Sequence, residues 1–449
     1  MISPSSVPSP RCNLPPQPTV AQELRALAAL AMPMAFSQWG IMLPNLIDTA
    51  MVGHVNPTAS AGLSIGRNVA WAVSALAQGI AMAVDPLAAQ AVGAGEPGRA
   101  HRAWLRGVWS SGLTAVVSLL LGFVALWALL PRLGVAADVT HAALTYYGWA
   151  MPAQLMWALF VATRSYLQAS SRAATIVGAT LLYNVVNLSS AWWLVMHLKW
   201  GALGAALAAN LSGAALLLPV FLLAIRSKSP LGAARDVSMG DLWHIGFPAG
   251  AQLFAEMGVF TAAGLLAAHL GKTEVNAHQV VLGLASFTFM GALGVSGATS
   301  ARVGNAVGEG RSPRTVANLG LLLGVGVMLV GGAVFVSFPM ALAGFFTSDP
   351  PTLALSASLM IYPALFACFD AVQVVASGAL RGMGDVRVPM IVNVAGHWCF
   401  TLPCTAYLAI GLGRGVVGLW QGLSLGLALV ASLLYLRLRA LSGRIIVRL

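Results

Sequence analysis

Long apolar stretches, separated by short polar or basic loops, run through the chain from about residue 26 to residue 437. Leu, Ala, Val and Gly recur there in blocks, and roughly 20 apolar residues are enough for a helix to cross a bilayer. The pattern predicts an all-α integral membrane protein with twelve transmembrane helices. The predicted spans are 26–53, 63–88, 108–130, 140–164, 174–197, 201–225, 243–270, 277–300, 315–345, 352–378, 388–411 and 415–437.

Composition also favours a membrane protein. Of the 449 residues, 58% are hydrophobic and only 8% are charged, and the mean hydropathy is +0.82. A soluble chain of this length has too little polar surface to cover so much apolar material. The net charge of +11 would suggest a nucleic-acid partner in a soluble protein. Here the basic residues lie in short loops between spans, so we expect membrane lipids around the protein and no nucleic acid.

The distribution of Lys and Arg predicts the topology. If the N-terminus is inside, the inside loops and tails hold 18 of these 24 residues, the outside loops hold four, and Arg67 and Arg164 fall within spans. This bias predicts a multi-pass protein with both termini in the cytoplasm. Residues 1–24 are rich in Pro and Ser and are interpreted as a disordered cytoplasmic leader. Residues 438–449 are interpreted as a basic cytoplasmic tail.

The chain also contains an internal repeat with an offset of 215 residues. The segment QAVGAGEPGRA at 90–100 aligns with NAVGEGRSPRT at 305–315. The same offset relates two further pairs, Gly79 with Gly294 and Pro33 with Pro248. Three features that share one offset over about 60 residues indicate a duplication.

The duplication predicts two homologous six-helix lobes around a central cleft. The expected N-terminal lobe is 25–225, the C-terminal lobe is 242–437, and 226–241 is a polar cytoplasmic linker. Because six is an even number, both lobes begin on the same side of the membrane. We therefore expect them to be related by an axis along the membrane normal.

Four of the thirteen acidic residues fall inside predicted spans, and Glu256 is the deepest of them. An ionisable side chain at that depth costs a few kcal/mol and normally faces a bundle interior or a wet cavity. Pro248, two turns earlier, lacks a backbone donor and allows the helix to bend. Glu256 either exchanges a cation or proton during transport, or remains protonated and hydrogen-bonded to a neighbouring helix.

Asp370, in span 10, allows two interpretations as well. Its neighbours Phe366 and Phe369 place it in apolar surroundings, and Gln373 is nearly on the same helical face. Asp370 and Glu256 belong to the same half, so they are candidates for one shared site that takes a proton or Na⁺. The alternative is an Asp–Gln pair that holds two helices together.

Asp48 and Asp85 are the other two acids within spans. Asp48 follows Pro44, which frees a backbone carbonyl, so it is either a cation or proton site or part of a capped helix end. Asp85 directly precedes Pro86 near the cytoplasmic end of span 2 and can reach water or an arginine. Asp85 is interpreted as a structural or gating residue.

Other polar and aromatic residues are candidates to line a substrate cavity. Asn184 and Asn187, in span 5, share one helical face because they are three residues apart. Their alternative role is hydrogen bonding between helices. Gln279, Gln373 and Trp39 complete this candidate set. Lone histidines such as His278 and His397 are more often packing residues.

The sequence contains no GxxxxGK[ST], HExxH or GxSxG motif, and no nucleophile–base or metal-ligand constellation. We therefore expect neither ATP-driven transport within this chain nor an enzyme. Apart from Na⁺ or H⁺ as a coupling ion, no cofactor is expected.

Several separated motifs resemble the MATE family of multidrug and toxic compound extrusion transporters. They are PMAFSQWG…IDTAMVGH in span 1, PLAAQAVGAG after span 2, GFPAGAQLFAE in span 7, NAHQVVLGLASFTFMGALGVSGATSARVGNAVGEG in span 8, and DAVQVVASGALRGMGD in span 10. The resemblance covers about residues 25–440. The acid in span 7 resembles the NorM-like branch.

The resemblance implies a secondary active multidrug efflux transporter in a bacterial plasma (inner) membrane. Such an antiporter expels cationic or amphiphilic organic compounds by alternating access, driven by inward Na⁺ or H⁺, and is expected to work as a monomer. Glu256 and Asp370 match the coupling acids of the C-terminal lobe, and Asp48 matches the acid of the N-terminal lobe. Pro33 matches the proline at which span 1 bends, and Pro248 is its repeat partner and a second candidate hinge.

The chain departs from the family pattern at two places. Asn184 and Asn187 are three residues apart, where four is frequent, and Phe366 stands one turn before Asp370, where some sodium-binding relatives have a tyrosine. The second departure weakens the case for Na⁺. An alternative function is a lipid or lipid-linked precursor flippase of the same superfamily, which would usually have a more cationic cavity.

Overall fold

The computed structural model describes residues 18–55, 57–227, 237–444 and 446–449, and it describes side chains throughout these ranges except at 45–50 and 52–61. The described residues form helices, with no strand among them. Most of the predicted leader and linker, and the side chain of Asp48, lie outside the described residues.

The helices of the two halves follow one another in the same order. The first half contains α1 Val20–Val55, α2 Pro57–Met82, α3 Val84–Gly93, α4 Pro97–Arg132, α5 Ala137–Ala169, α6 Ala173–Ala191 and α7 Gly201–Arg226. The second contains α8 Met239–Leu270, α9 Lys272–Gly308, α10 Arg314–Ser337, α11 Pro339–Phe346, α12 Pro350–Leu359, α13 Ile361–Gly382, α14 Arg387–Ala395, α15 Leu402–Ala406 and α16 Gly415–Ser442. Three π-helical segments interrupt them at Trp192–His197, Gly396–Thr401 and Tyr407–Gly411.

Ten helical stretches in the described part are long and apolar enough to cross a membrane. They correspond to ten of the twelve predicted spans. The remaining two predicted spans are the helix α5 and the helical run 387–411, which is divided into α and π segments. Prolines explain several divisions of the spans: Pro86 lies in the first turn of α3, and Pro339 and Pro350 begin α11 and α12, where a missing N–H costs no helical hydrogen bond.

The lobes cross each other at positions without large side chains. A Cβ on Gly79 of α2 would lie 2.1 Å from the backbone nitrogen of Gly250 of α8. A Cβ on Gly294 of α9 would lie 2.4 Å from the backbone nitrogen of Ala35 of α1. Because Ala35 and Gly250 are themselves 215 residues apart, the two crossings correspond to each other across the repeat.

A second matched pair of contacts joins the C-terminal ends of α3 and α9. A Cβ on Gly93 would lie 2.1 Å from the carbonyl oxygen of Asn305, and a Cβ on Gly308 would lie 2.1 Å from that of Gln90. These positions are again related by the offset of 215. We call the contact region around Gly93 and Gly308 the seam. It lies at the end of the bundle where the arginine-rich loops are.

Each lobe also has its own apolar core. Trp104 is fully buried among α4, α5 and α7 in the first lobe, where its Nε1 donates to Thr163 Oγ1 at 3.1 Å. Trp420 of α16 is fully buried in the second lobe. Apolar clusters also extend across the lobes, since Leu242 and Ile245 of α8 pack with the core around Trp104, and Leu27 and Leu30 of α1 pack with residues of α9 and α13.

Candidate functional site

Glu256 lies about halfway along α8 and is partly exposed. Its Oε1 accepts hydrogen bonds from Gln252 Nε2 at 3.1 Å and from Gln373 Nε2 at 2.8 Å. Gln252 is four residues before Glu256, so the two side chains share one helical face. The acid is therefore held by its own helix and by α13.

Gln373 extends this network to a third helix. Its Nε2 also donates to Asn393 Oδ1 at 2.6 Å, and Asn393 Nδ2 donates to the carbonyl of Pro389 at 2.8 Å. Gln373 and Asn393 are buried. The chain of amides fixes the direction in which α8, α13 and α14 present their polar groups.

Asp370 lies one turn before Gln373 and is 5% exposed. It is near enough to Glu256 for the two negative charges to repel each other. Two carboxylates in apolar surroundings cannot both stay charged without a compensating proton or cation. The pair, with its amide oxygens, offers the hard oxygen ligands that a proton or a small cation takes.

The candidate residues of the first lobe occupy a separate place. Asn184 is partly buried, donates from Nδ2 to the carbonyl of Thr180 at 2.8 Å, and faces Gly40 of α1. Asn187 is buried on the same helix. These amides lie in the lobe opposite Glu256 and Asp370. Asp48 lies on α1, but its side chain is outside the described residues.

Trp39 and Gln279 have different surroundings. Trp39 joins the lobes, because its Nε1 donates to the carbonyl of Phe287 at 2.9 Å and its ring stacks on Phe287 at 5.9 Å. Gln279 is exposed and lies beside Gly264 of α8.

Pro33 and Pro248, the candidate hinges, lie within the continuous helices α1 and α8.

Ion pairs cross the seam between the lobes. Arg381 Nε of α13 lies 3.4 Å from Asp85 Oδ2 of α3, and Glu23 of α1 pairs with Arg302 and, at 3.9 Å, with Arg311. In each pair the acid belongs to the first lobe and the arginine to the second. The expectation that Asp85 can reach an arginine is confirmed. Gln90 Nε2 also donates to the carbonyl of Gly382 at 3.0 Å.

Two contributors were not identified from the sequence. The contact of Gln252 with Glu256 could have been predicted from the sequence, since Gln252 lies one turn before Glu256 on the same helical face. Arg381 was assigned to a cytoplasmic loop and counted only towards topology. Its pairing with a residue 296 positions earlier in the chain (381 − 85) leaves no local signal.

Two duplicated helical lobes with acids near mid-membrane form the architecture of secondary transporters. The family model named MatE matches residues 33–193 and 248–406, and these two matches begin 215 residues apart (248 − 33). The chain therefore belongs to the MatE family, as the motifs predicted. The spacing of the two matches agrees with the internal repeat.

Curated relatives resemble the chain over nearly its full length. A probable multidrug resistance protein NorM of Rhizobium meliloti is 32% identical, with 94% of each chain covered. Another of Deinococcus radiodurans is 33% identical and covers 92% of this chain and 95% of its own. The crystal structure of a eukaryotic MATE transporter superposes with a TM-score of 0.85 at 24% identity, covering 93% of this chain and 96% of its own. This likeness supports the fold of twelve helices in two lobes.

Proposed function

We propose that this protein is a secondary active multidrug efflux transporter that exports cationic or amphiphilic organic compounds in exchange for inward Na⁺ or H⁺. The observation that carries the proposal is Glu256 held by the amides of Gln252 and Gln373, with the buried Asp370 one turn before Gln373 on α13. Membership of the MatE family and the multidrug resistance names of its relatives support this assignment. The protein works as a monomer in the inner membrane of a bacterium, and both of its termini are cytoplasmic.

Under this topology the seam closes the cytoplasmic side, and the cleft opens outward. A proton or Na⁺ binds from outside at Glu256 and Asp370, with Asp48 as a further candidate in the first lobe. Neutralised carboxylates hold a cationic drug less tightly, so the drug leaves to the outside. The helices then repack around the hinges Pro33 and Pro248, the lobes rock, and the ion leaves to the cytoplasm.

Coupling follows from competition for one set of charges. The carboxylates cannot fully satisfy a drug cation and a coupling ion at the same time, so each ligand weakens the other. The amide network holds the carboxylates in one position for both ligands. Asn184 and Asn187 of the other lobe, together with Gln279 and Trp39, are the further candidates to contact the uncharged parts of the substrate.

Efflux from proteoliposomes tests the proposal. Ethidium transport is measured with a Na⁺ gradient alone and with a pH gradient alone, for the parent protein, Glu256→Gln and Asp370→Asn. We expect one gradient to drive efflux in the parent and neither variant to respond. Efflux that persists in Glu256→Gln would contradict the mechanism. If neither gradient moves the dye through folded protein, flipping of a fluorescent lipid becomes the next assay.

A further inference from the structure

Arg381 stands between the acid site and the seam. It occupies the last turn of α13 in the second lobe, its side chain is only 13% exposed, and it pairs with Asp85 of the first lobe. The next residue, Gly382, accepts the hydrogen bond from Gln90 across the same seam. Arg381 is thus part of the contact that must separate if the seam opens.

The same arginine is electrostatically attracted to Glu256 as well as to Asp85. Gln373, which binds Glu256, lies eight residues before Arg381 on α13, or roughly 12 Å along the helix. Both residues are on the continuous helix α13, which therefore connects the acid site to the seam. In a poorly solvated interior, a unit charge at a distance of roughly 12 Å still changes the electrostatic free energy of a buried arginine.

We propose that Arg381 transmits the charge of Glu256 to the seam, so that an empty, charged site keeps the seam closed and a neutralised site releases it. This inference rests on the function proposed above. A buried guanidinium is stabilised by nearby negative charge and costs free energy without it. When a proton, Na⁺ or a cationic drug neutralises Glu256, Arg381 loses one of its two anions. Solvation of Arg381 in the open seam then becomes more favourable.

The proposal explains why an empty carrier would not cross the membrane. An antiporter must change sides only when it carries an ion or a drug, because crossing without a ligand would dissipate the gradient. Charge on the unoccupied Glu256 stabilises the closed seam, and either ligand removes that stabilisation. Asp85 also has a second attractive partner, Arg164 of α5 in its own lobe, and Arg164 and Arg381 repel each other. That second cation stays near Asp85 when Arg381 moves away with the other lobe.

A reporter cysteine in the seam tests the link. The chain contains four cysteines, Cys12, Cys368, Cys399 and Cys404, which are first replaced by serine. Asn305→Cys is then introduced, because Asn305 is 6% exposed in the closed seam and cysteine is no larger. The rate of alkylation by a membrane-impermeant maleimide, added on the cytoplasmic side of proteoliposomes, reports how often the seam opens.

We expect Glu256→Gln, which removes the charge permanently, to raise the alkylation rate by about tenfold. This is the effect of a unit charge on the order of 12 Å away, with the helical rise from Gln373 to Arg381 taken as the separation, at an effective dielectric constant of about 20. In the Arg381→Gln background, Glu256→Gln should change the rate by less than about twofold. Arg381→Lys keeps the charge and should restore the response. An equal response in Arg381→Gln, a missing response in the parent, or no restoration by lysine would each overturn the proposal.

Arg302→Gln is the matched control. It removes another arginine that pairs with a first-lobe acid across the seam, and Arg302 has no assigned part in the acid site. Its alkylation rate should rise overall, and Glu256→Gln should still add its full increase. All variants are first checked for a single symmetric peak in size-exclusion chromatography. If Glu256→Gln stops efflux but the alkylation pattern does not depend on Arg381, the transport function stands and only this inference fails.

Discussion

At the scale of single residues, Gln373 has the largest share in holding the acid site together. Both hydrogens of its amide are used, one towards Glu256 and one towards Asn393. A hydrogen bond to a charged group contributes about 1.5–3 kcal/mol, more than one between neutral groups. The amide therefore stabilises a charged Glu256 and fixes its position relative to α14.

Replacing Gln373 by leucine should slow gradient-driven ethidium efflux by about tenfold or more, because Glu256 loses a hydrogen bond worth about 1.5–3 kcal/mol. The measurement is the initial efflux rate in proteoliposomes at a fixed gradient. Gln421→Leu serves as the control, since Gln421 bonds with Arg414 and Tyr362 away from the acid site and should keep the parental rate. Equal efflux rates for Gln373→Leu and Gln421→Leu would show that Gln373 has no role in the acid site.

The sequence was sufficient to predict Glu256 and Asp370 as candidates for one site, because acids are so costly inside a membrane that they must share partners. It indicated Gln373 as a partner of Asp370, whereas Gln373 donates to Glu256. The sequence also did not predict the role of Asn393 in linking Gln373 to α14. That contact depends on how two helices rotate against each other, and helix rotation leaves no trace in the spacing of one helix. The roles of Asp48, Asn184, Asn187 and the hinge prolines remain predictions.

At the scale of helices, the apolar pattern predicted the spans well but not their internal divisions. Span 10 is divided at Met360, between α12 and α13, and Pro363 in the first turn of α13 is a sequence signal for this boundary. The π segments in spans 5 and 11 were not predicted. Such irregularities arise from tertiary packing, which overrides local preference.

The crossing of α2 and α8 predicts a strong effect of one methyl group. Gly79→Ala places a Cβ against the backbone of Gly250, which cannot rotate away, so the helices must separate at a cost of about 1–3 kcal/mol. Gly178→Ala is the matched helical control, because its Cβ meets nothing within 4 Å, and it should stabilise by about 0.5–1 kcal/mol. Thermal unfolding in detergent compares the two. A Gly79→Ala protein as stable as Gly178→Ala would disprove the close crossing.

The start of α12 predicts a pH-dependent stability. Asp349 caps this helix by accepting hydrogen bonds from Thr352 N at 3.1 Å and Thr352 Oγ1 at 2.6 Å. These bonds lower the pKa of Asp349 below its ordinary value. A lowered folded-state pKa means that the stabilisation is present above the unfolded value of about 4 and is lost as the pH falls through the folded value.

Asp349→Ala should therefore lower the melting temperature at pH 7, and this difference should shrink steadily as the pH falls below about 4. Asp349→Asn keeps an acceptor for the cap but does not titrate, so its difference from alanine should be nearly independent of pH. Differential scanning fluorimetry across this range measures both. If the melting temperature of Asp349→Ala stays below that of the parent by the same amount at acidic pH, the charge of Asp349 does not contribute to the cap.

At the scale of the whole molecule, the two lobes are in close contact at the seam. Ala89 of the first lobe and Gly304 of the second are so close there that a Cβ on Gly304 would lie 2.6 Å from the Cβ of Ala89. If alternating access separates the lobes at this point, a covalent link across it must stop the cycle. A link within one lobe should not.

In a background without native cysteines, Ala89→Cys with Gly304→Cys should form a disulfide under mild oxidation. Efflux should fall by more than about tenfold and return on reduction, because these Cβ atoms are within reach of a disulfide after small shifts. Gly62→Cys with Ala142→Cys is the control, since both positions lie in the first lobe and a Cβ on Gly62 would lie 2.5 Å from that of Ala142. Full transport with the Ala89–Gly304 link formed would exclude this rocking motion.

The paired glycine crossings have a consequence for the history of the chain. Gly79 against Gly250 and Gly294 against Ala35 are the same contact made twice, as at the two-fold interface of a homodimer. In a true homodimer, every substitution appears in both copies. Fusion into one polypeptide frees each copy to change alone, and the position equivalent to Glu256 in the first half is Ile41 (256 − 215). Both halves have thus kept the small residues at the helix crossings, whereas only the second half has an acid at the position of Glu256.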